Sequence, residues 1–237
     1  MFEREHHLRI ATVLQALNAD LLYANHCFFG GGTAIVLARQ EYRESLDIDF
    51  MVSDRNGYLI LRQLLTGDQG LNAIVRPGMN LTPTRDIRAD QYGIRTMLRV
   101  AETEIKFEIV LEARTHFAEP DRDHAICGVV FLTDLDLATS KILANSDRWH
   151  DDSVFSRDLI DLAMLDLSRP SYIKALEKAS QAYGESAARD LLKAIDALKT
   201  RKGRLDDCMS ALKMENVPKA LLWKRIRDLK RIDIDRV

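Results

Sequence analysis

Cysteine is scarce and badly placed for pairing: Cys27, Cys127 and Cys208 are odd in number and far apart. That spacing excludes a disulfide framework and a thiolate zinc site, and leaves three buried free thiols as the expectation. Proline is equally sparse, 5 residues against 11 glycines, which rules out a collagen-like or proline-rich chain. None of the six histidines forms a His-x-x-x-His pair, so hydrolytic zinc chemistry has no support, and His6 and His7 are expected on a solvated helix face. No long apolar run exists either. The longest uncharged stretch, residues 21–38, is interrupted by Asn25, His26 and three glycines, where a membrane span would fail. Glu3, Arg4, Glu5 and Arg9 break up the first twenty residues, unlike a signal peptide, so no membrane and a cytoplasmic location are expected.

What is present is an ordinary globular mixture, 46% hydrophobic and 30% charged, long enough for one large domain or a domain with a helical appendix. Net charge is only −2, yet it is unevenly spread. Residues 1–170 hold 18 Lys+Arg against 26 Asp+Glu, and residues 171–237 hold 16 against 10. A carboxylate-rich body with a basic tail suits a metal-using enzyme acting on a polyanion; a solvated basic helix face gives the same composition. The tail's cations fall into two clusters, Lys199, Arg201, Lys202 and Arg204, then Lys224, Arg225, Arg227, Lys230 and Arg231.

Apolar periodicity predicts an opening amphipathic helix over 3–20, a short strand at 26–29, a glycine turn, and a helix over 33–39. Alternation then predicts a strand at 47–52, followed by a helix over about 57–66 capped by Asp54 or Asn56. Runs at 94–100 and 104–111 read as a hairpin, and 129–132 as a last strand. Beyond residue 134 the pattern is helical to the end: 135–146, 155–167, 171–183, 186–200, 204–214 and 218–230, with a clear break at Arg169-Pro170-Ser171. The domain boundaries expected are therefore 1–133 for a core that mixes strands and helices and 134–237 for a helical C-terminal region.

Two short segments carry chemistry. Gly30-Gly31-Gly32-Thr33 stands before a helix, where glycine lets the backbone approach a phosphate and the helix start aims N–H groups at the anion. Asp47-Ile48-Asp49-Phe50 places two carboxylates on one strand face, suited to a divalent metal. In Glu104-Ile105-Lys106-Phe107-Glu108 the charged residues likewise share a face, opposite the apolar ones.

In this order the segments resemble the nucleotidyltransferase superfamily that includes DNA polymerase β. The stretch from Gly-Gly-Thr-Ala-Ile-Val-Leu through Arg43-x-Ser45-x-Asp47-Ile-Asp49-Phe is most similar to the AbiEii toxin family. With Gly31-Gly32 as the glycine pair the spacer, residues 33–46, is one longer than the superfamily pattern, and Gly32-Thr33 restores it. The resemblance implies a third carboxylate on a neighbouring strand, and Lys106-Phe107-Glu108 matches its Lys-apolar-Glu pattern, with Glu104 in reserve. Lys141, then Asp158-x-x-Asp161-x-x-x-Leu165, is similar to the family's helical motif, although its leading Lys is Phe155 here. Pairing of Asp158 and Asp161 with Arg148 and Arg157 is the competing explanation for those two.

The resemblance implies an α+β fold, a nucleotidyltransferase-like mixed sheet flanked by helices with a helical C-terminal region. It also implies transfer of a nucleoside monophosphate from an NTP to an acceptor hydroxyl. Asp47, Asp49 and Glu108 would be the catalytic and metal residues, binding two Mg²⁺. Gly31, Gly32, Thr33, Arg43, Ser45, Lys106, Lys141, Asp158 and Asp161 would bind the nucleotide. The implied partners are NTP, tRNA or another RNA, and an antitoxin protein; the implied setting is a toxin-antitoxin or phage-defence (abortive infection) system. Two rival readings are a small-molecule, antibiotic-type nucleotidyltransferase and a nucleotide-binding regulator without turnover.

Overall fold

A computed structural model describes residues 2–230, so Arg231 of the second basic cluster lies outside the described residues. The chain divides into two compact units, residues 1–38 with 45–133, and residues 39–44 with 134–237.

The first unit is built on a mixed sheet. It opens with α1 (Glu5–Ala16) and α2 (Ala19–Ala24) where apolar periodicity predicts one helix. The helix breaks because Leu17 turns extended and the Asn18 side chain accepts from Leu21 N–H, capping α2. The apolar pattern runs on across the break because Leu17 and Leu22 are both buried. Then come β1 (Cys27–Phe29), α3 (Gly31–Ala38), β2 (Ile48–Val52) and α4 (Arg55–Thr66), whose N-cap Asp54 accepts from Gly57 N–H. Two-residue strands β3 (Thr82–Pro83) and β4 (Arg88–Ala89) precede the hairpin of β5 (Gly93–Val100) and β6 (Thr103–Leu111); β7 (Ala125–Ile126) and β8 (Val129–Val130) follow.

The strand order is β1-β2-β6-β5-β3, with β4 also on β5. β2 runs parallel to β6 and antiparallel to β1. One sheet face is apolar: Phe29, Phe50 and Phe107 pack in sequence across β1, β2 and β6 as tilted rings, with centroids 5.6 and 5.7 Å apart. Burial of Ile48, Phe50 and Val52 fixes the register, and a one-residue slip would turn the acidic face into the core.

The second unit is helical: α5 (Asp134–Arg148), α6 (Arg157–Leu165), α7 (Arg169–Tyr183), α8 (Ser186–Thr200), α9 (Arg204–Ala211) and α10 (Lys219–Lys230). α5 is packed by α6, α7 and α8. Pro170 sits in the first turn of α7 and Ser168 caps it, which explains the sharp break seen in the sequence. Cys27 and Cys208 are buried free thiols, and burial pushes both up; Cys127 is only half-buried. Among the described residues no helix is long and apolar enough to cross a membrane.

Candidate active site

The site grows from the meeting of the glycine turn with β2. Gly30 N–H donates to the Asp49 carbonyl at 2.8 Å, tying the turn to the strand. Gly31, the first residue of α3, has φ +65°, and a Cβ there would lie 2.5 Å from Asp49 Oδ2. Only glycine meets both demands. The first N–H groups of α3, on Gly31, Gly32 and Thr33, have no acceptor within the helix by geometry and carry its positive end. An anion-binding helix start therefore abuts the Asp49 carboxylate.

A hydroxyl relay holds Asp47 in place. Thr33 is buried, and its hydroxyl donates to the Asp47 carbonyl. Its single proton is thereby spent, so the 2.8 Å contact with Ser45 makes Ser45 the donor. Helix α1 grips the same loop from the other side. His7 Nε2 accepts the Ser45 N–H at 3.0 Å, and His6 Nε2 donates to the Leu46 carbonyl at 2.9 Å. The expectation of a solvated face fails for His7, which is 0% exposed. A ring nitrogen that accepts is unprotonated, so His7 carries its proton on Nδ1.

Across the sheet, Asp49 on β2 registers with Glu108 on β6, Glu108 with Arg95 on β5, and Arg95 with Arg88 on β4. Side chains in register share a face, so the row runs acid, acid, base, base. Glu108, whose side chain is 14% exposed, accepts from Arg95 Nε at 2.9 Å and from Lys106. Burial alone would raise its carboxyl; hydrogen bonds and charge from Lys106 and Arg95 outweigh that and hold it below the usual range. Burial works against the Lys106 ammonium, but Glu108, and more distantly Asp49 and Asp47, draw it upward. Glu104 is exposed. Among the described residues no three acidic, histidine or cysteine side chains converge as a ready metal cage, and Glu108 is paired with its two cations. The oxygen donors of Asp47 and Asp49 fit a hard divalent ion.

The other four candidate residues gather in the helical unit. Asp161 is 0% exposed and accepts from Arg43 through both oxygens (2.7 and 2.9 Å) and from Tyr42 OH at 2.6 Å. Lys141 bridges it, at 2.7 Å, to Asp158 at 3.0 Å. Arg148 closes the chain with a two-pronged contact to Asp158. Burial would raise both carboxyls, yet Arg43 and Lys141 pull Asp161 down, and Lys141 and Arg148 pull Asp158 well down. The pairing of Asp158 with Arg148 is thus present, while Asp161 takes Arg43 and Lys141. The structure brings Asp47, Asp49, Glu108, Lys106, Gly31, Gly32, Thr33 and Ser45 together on the sheet unit, and Arg43, Lys141, Asp158 and Asp161 together in the helical one. Missing from the sequence reading were His7, Arg95 and Arg88. A partial signal for the arginines lay in the hairpin register, which places Arg95 opposite Glu108.

No curated protein matches the chain. Solved structures similar to it include a candidate nucleotidyltransferase from H. pylori, 16% identical, covering 98% of this chain and 95% of that one with a TM-score of 0.49. JHP933 from Helicobacter pylori is 17% identical, covering 100% and 97%, also with a TM-score of 0.49. The family model described as "Nucleotidyl transferase AbiEii toxin, Type IV TA system" matches residues 12–233. With nearly the whole length matched, the chain belongs to the AbiEii family of nucleotidyl transferase toxins.

Proposed function

We propose that this protein moves a nucleoside monophosphate from an NTP to a hydroxyl of an RNA acceptor, in the cytoplasm, as a Mg²⁺-dependent toxin acting in a system with an antitoxin. The observation that carries the reading is the contact of Gly31 with Asp49, which leaves no room for a side chain between a helix start and a carboxylate. Phosphate on the backbone N–H groups of Gly31, Gly32 and Thr33 would lie beside the carboxylate that holds the metal. Asp47 and Asp49 would hold the Mg²⁺, two ions in this reading, which neutralise triphosphate charge and lower the acceptor hydroxyl's pKa when bound.

The protein's own groups do the rest. Thr33 and Ser45 fix the Asp47 backbone, and the buried Thr33 hydroxyl leaves only its N–H for phosphate. Burial opposes the Glu108 charge, but hydrogen bonds from Lys106 and Arg95 hold its carboxyl below the ordinary value and so favour the carboxylate, which suits a role as a third ligand that exchanges cations for metal. Lys106, beside it, would offer positive charge to the leaving pyrophosphate. Arg43, Lys141, Asp158 and Asp161, which the resemblance also assigns to nucleotide binding, form a buried charged network within the helical unit, and in this reading that network holds residues 39–44.

Calorimetric titration of the four NTPs with and without Mg²⁺, then label transfer from each NTP to bulk tRNA, tests the reading. Binding that needs Mg²⁺ and is lost in Asp47→Asn and Asp49→Asn is the expected result. Wild-type behaviour in both variants would remove the site assignment.

A further inference from the structure

On the sheet unit, a cleft of about 840 Å³ opens where β3, β4 and β5 meet, within the size range of built ligand sites, roughly 300–1,000 Å³. Four cations line it, Arg85, Arg88, Arg95 and Lys106, against one carboxylate, Asp86. The walls are fixed: Thr96 Oγ1 donates to the Arg85 carbonyl at 2.7 Å, and Thr84 N–H to the Met97 carbonyl at 2.8 Å. Arg95 and Lys106 are held by Glu108, and Arg95 also by Asp90. Arg85 and Arg88 are exposed and have no ion pair among the described residues. The cleft continues the Asp49-Glu108-Arg95-Arg88 row, so at strand spacings of ~4.8 Å its basic end lies about 14 Å along the sheet from Asp49.

The basic C-terminal region has less to offer an anion. Arg201 is bound to Asp152, Lys219 to Asp206, Arg225 to Asp166 and Lys230 to Asp196. Much of its positive charge is spent inside the unit.

We propose that this cleft seats the phosphodiester backbone of the acceptor strand, with Arg85 and Arg88 as its phosphate contacts. The proposal rests on the nucleotidyl-transfer reading only for what lies at the acidic end of the row. A strand whose terminal hydroxyl reaches Asp47 and Asp49 runs its next phosphates toward the basic end, so the gradient orients it. A polycationic small acceptor would be repelled by the same lining.

The test is filter binding of a single-stranded RNA of about 15 nucleotides and mixed sequence across a salt series. Wild type is compared with Arg85→Ala/Arg88→Ala and with Lys224→Ala/Arg227→Ala. Losing two contacts should flatten the slope of log affinity against log salt by about 1.4, or weaken binding roughly twentyfold at 0.1 M salt. The C-terminal variant should match wild type, and NTP affinity by calorimetry should stay within twofold in both. An unchanged slope in the cleft variant, or flattening only in the C-terminal one, overturns the proposal and favours a tail platform or a small acceptor. Lost NTP affinity with intact RNA binding also overturns it, giving these cations to the triphosphate. Photocross-linking of 4-thiouridine RNA to the wild-type protein gives an answer without mutation: adducts within residues 83–99 support the cleft, and adducts confined to 199–230 sink it. RNA binding through the cleft without label transfer from any NTP would retain this site while removing the catalytic reading.

Discussion

Two groups of carboxylates in this molecule meet opposite fates. Asp158 and Asp161 are buried in the helical unit and saturated by Lys141, Arg43, Arg148 and Tyr42. Asp47, just before β2, and Asp49, on it, are half-buried, and Asp49 lies beside the positive end of a helix and a glycine that makes room for it. A buried ion network is costly to desolvate and costlier to break, so it holds geometry. A half-buried carboxylate pair next to a helix N-terminus costs stability but meets an anion and its metal well. Residue type alone does not separate these two uses; burial does.

The comparison is broken most directly by exchanging its outcomes. Asp49→Asn should lower label transfer by about 10³-fold or more, roughly 4 kcal/mol of transition-state stabilisation, and leave the melting temperature within a few degrees. Asp161→Asn should act in the opposite sense, costing about 3–5 kcal/mol of stability because Arg43 and Lys141 lose their buried counter-charge. Denaturant unfolding and single-turnover transfer on both variants decide the matter. A stable Asp161→Asn protein that has lost only turnover would move that residue from frame to chemistry. The same network sets an acid limit. Both aspartates have folded pKa values depressed below the ordinary carboxylate value, so their stabilisation is complete above the unfolded pKa, about 4, and drains as pH falls below it. Unfolding midpoints measured from pH 6 to pH 2 should fall in that window for wild type and less steeply for Asp161→Asn.

Gly31→Ala sharpens the other side of the comparison. A left-handed φ costs an alanine about 1–3 kcal/mol, and its methyl would press on Asp49 Oδ2. Transfer should fall further than stability, since the displaced group is the carboxylate itself. Equal wild-type activity in a folded Gly31→Ala protein would show that the close approach has no functional use.

The carboxylates of the sheet were legible in the sequence because alternation is local: Ile48 and Phe50 must face the core, so Asp49 cannot. The helices from residue 134 onward were legible for the same reason at helical spacing. What stayed hidden was set by distant partners. Arg43 meets Asp161 across 118 positions, and no local pattern signals that pairing. β3 and β4 are two-residue strands of largely exposed side chains, defined only by what β5 offers them. The helix break at Leu17 and Asn18 was masked by an apolar stripe that both α1 and α2 continue. Glu108's commitment to Arg95 needed the hairpin register to the exact residue.

His7 is the case that joins the two halves of the comparison, a buried, satisfied group whose partner is the loop entering the site. Its Nε2 is the acceptor for Ser45 N–H, and Ser45 in turn donates to Thr33, which holds the Asp47 carbonyl. His7→Leu fills the space without an acceptor and should cost about 1–2 kcal/mol for the stranded N–H. Small shifts of a catalytic group can cost up to about 10²-fold in rate, so kcat should fall while NTP affinity changes little. His7→Gln returns an acceptor near the position of Nε2 and should recover most of both losses. Melting temperature and kcat measured together for the two variants separate the roles. If His7→Leu melts early but turns over at the wild-type rate, His7 serves the core alone, and the hold of α1 on the Asp47 loop has no part in the reaction.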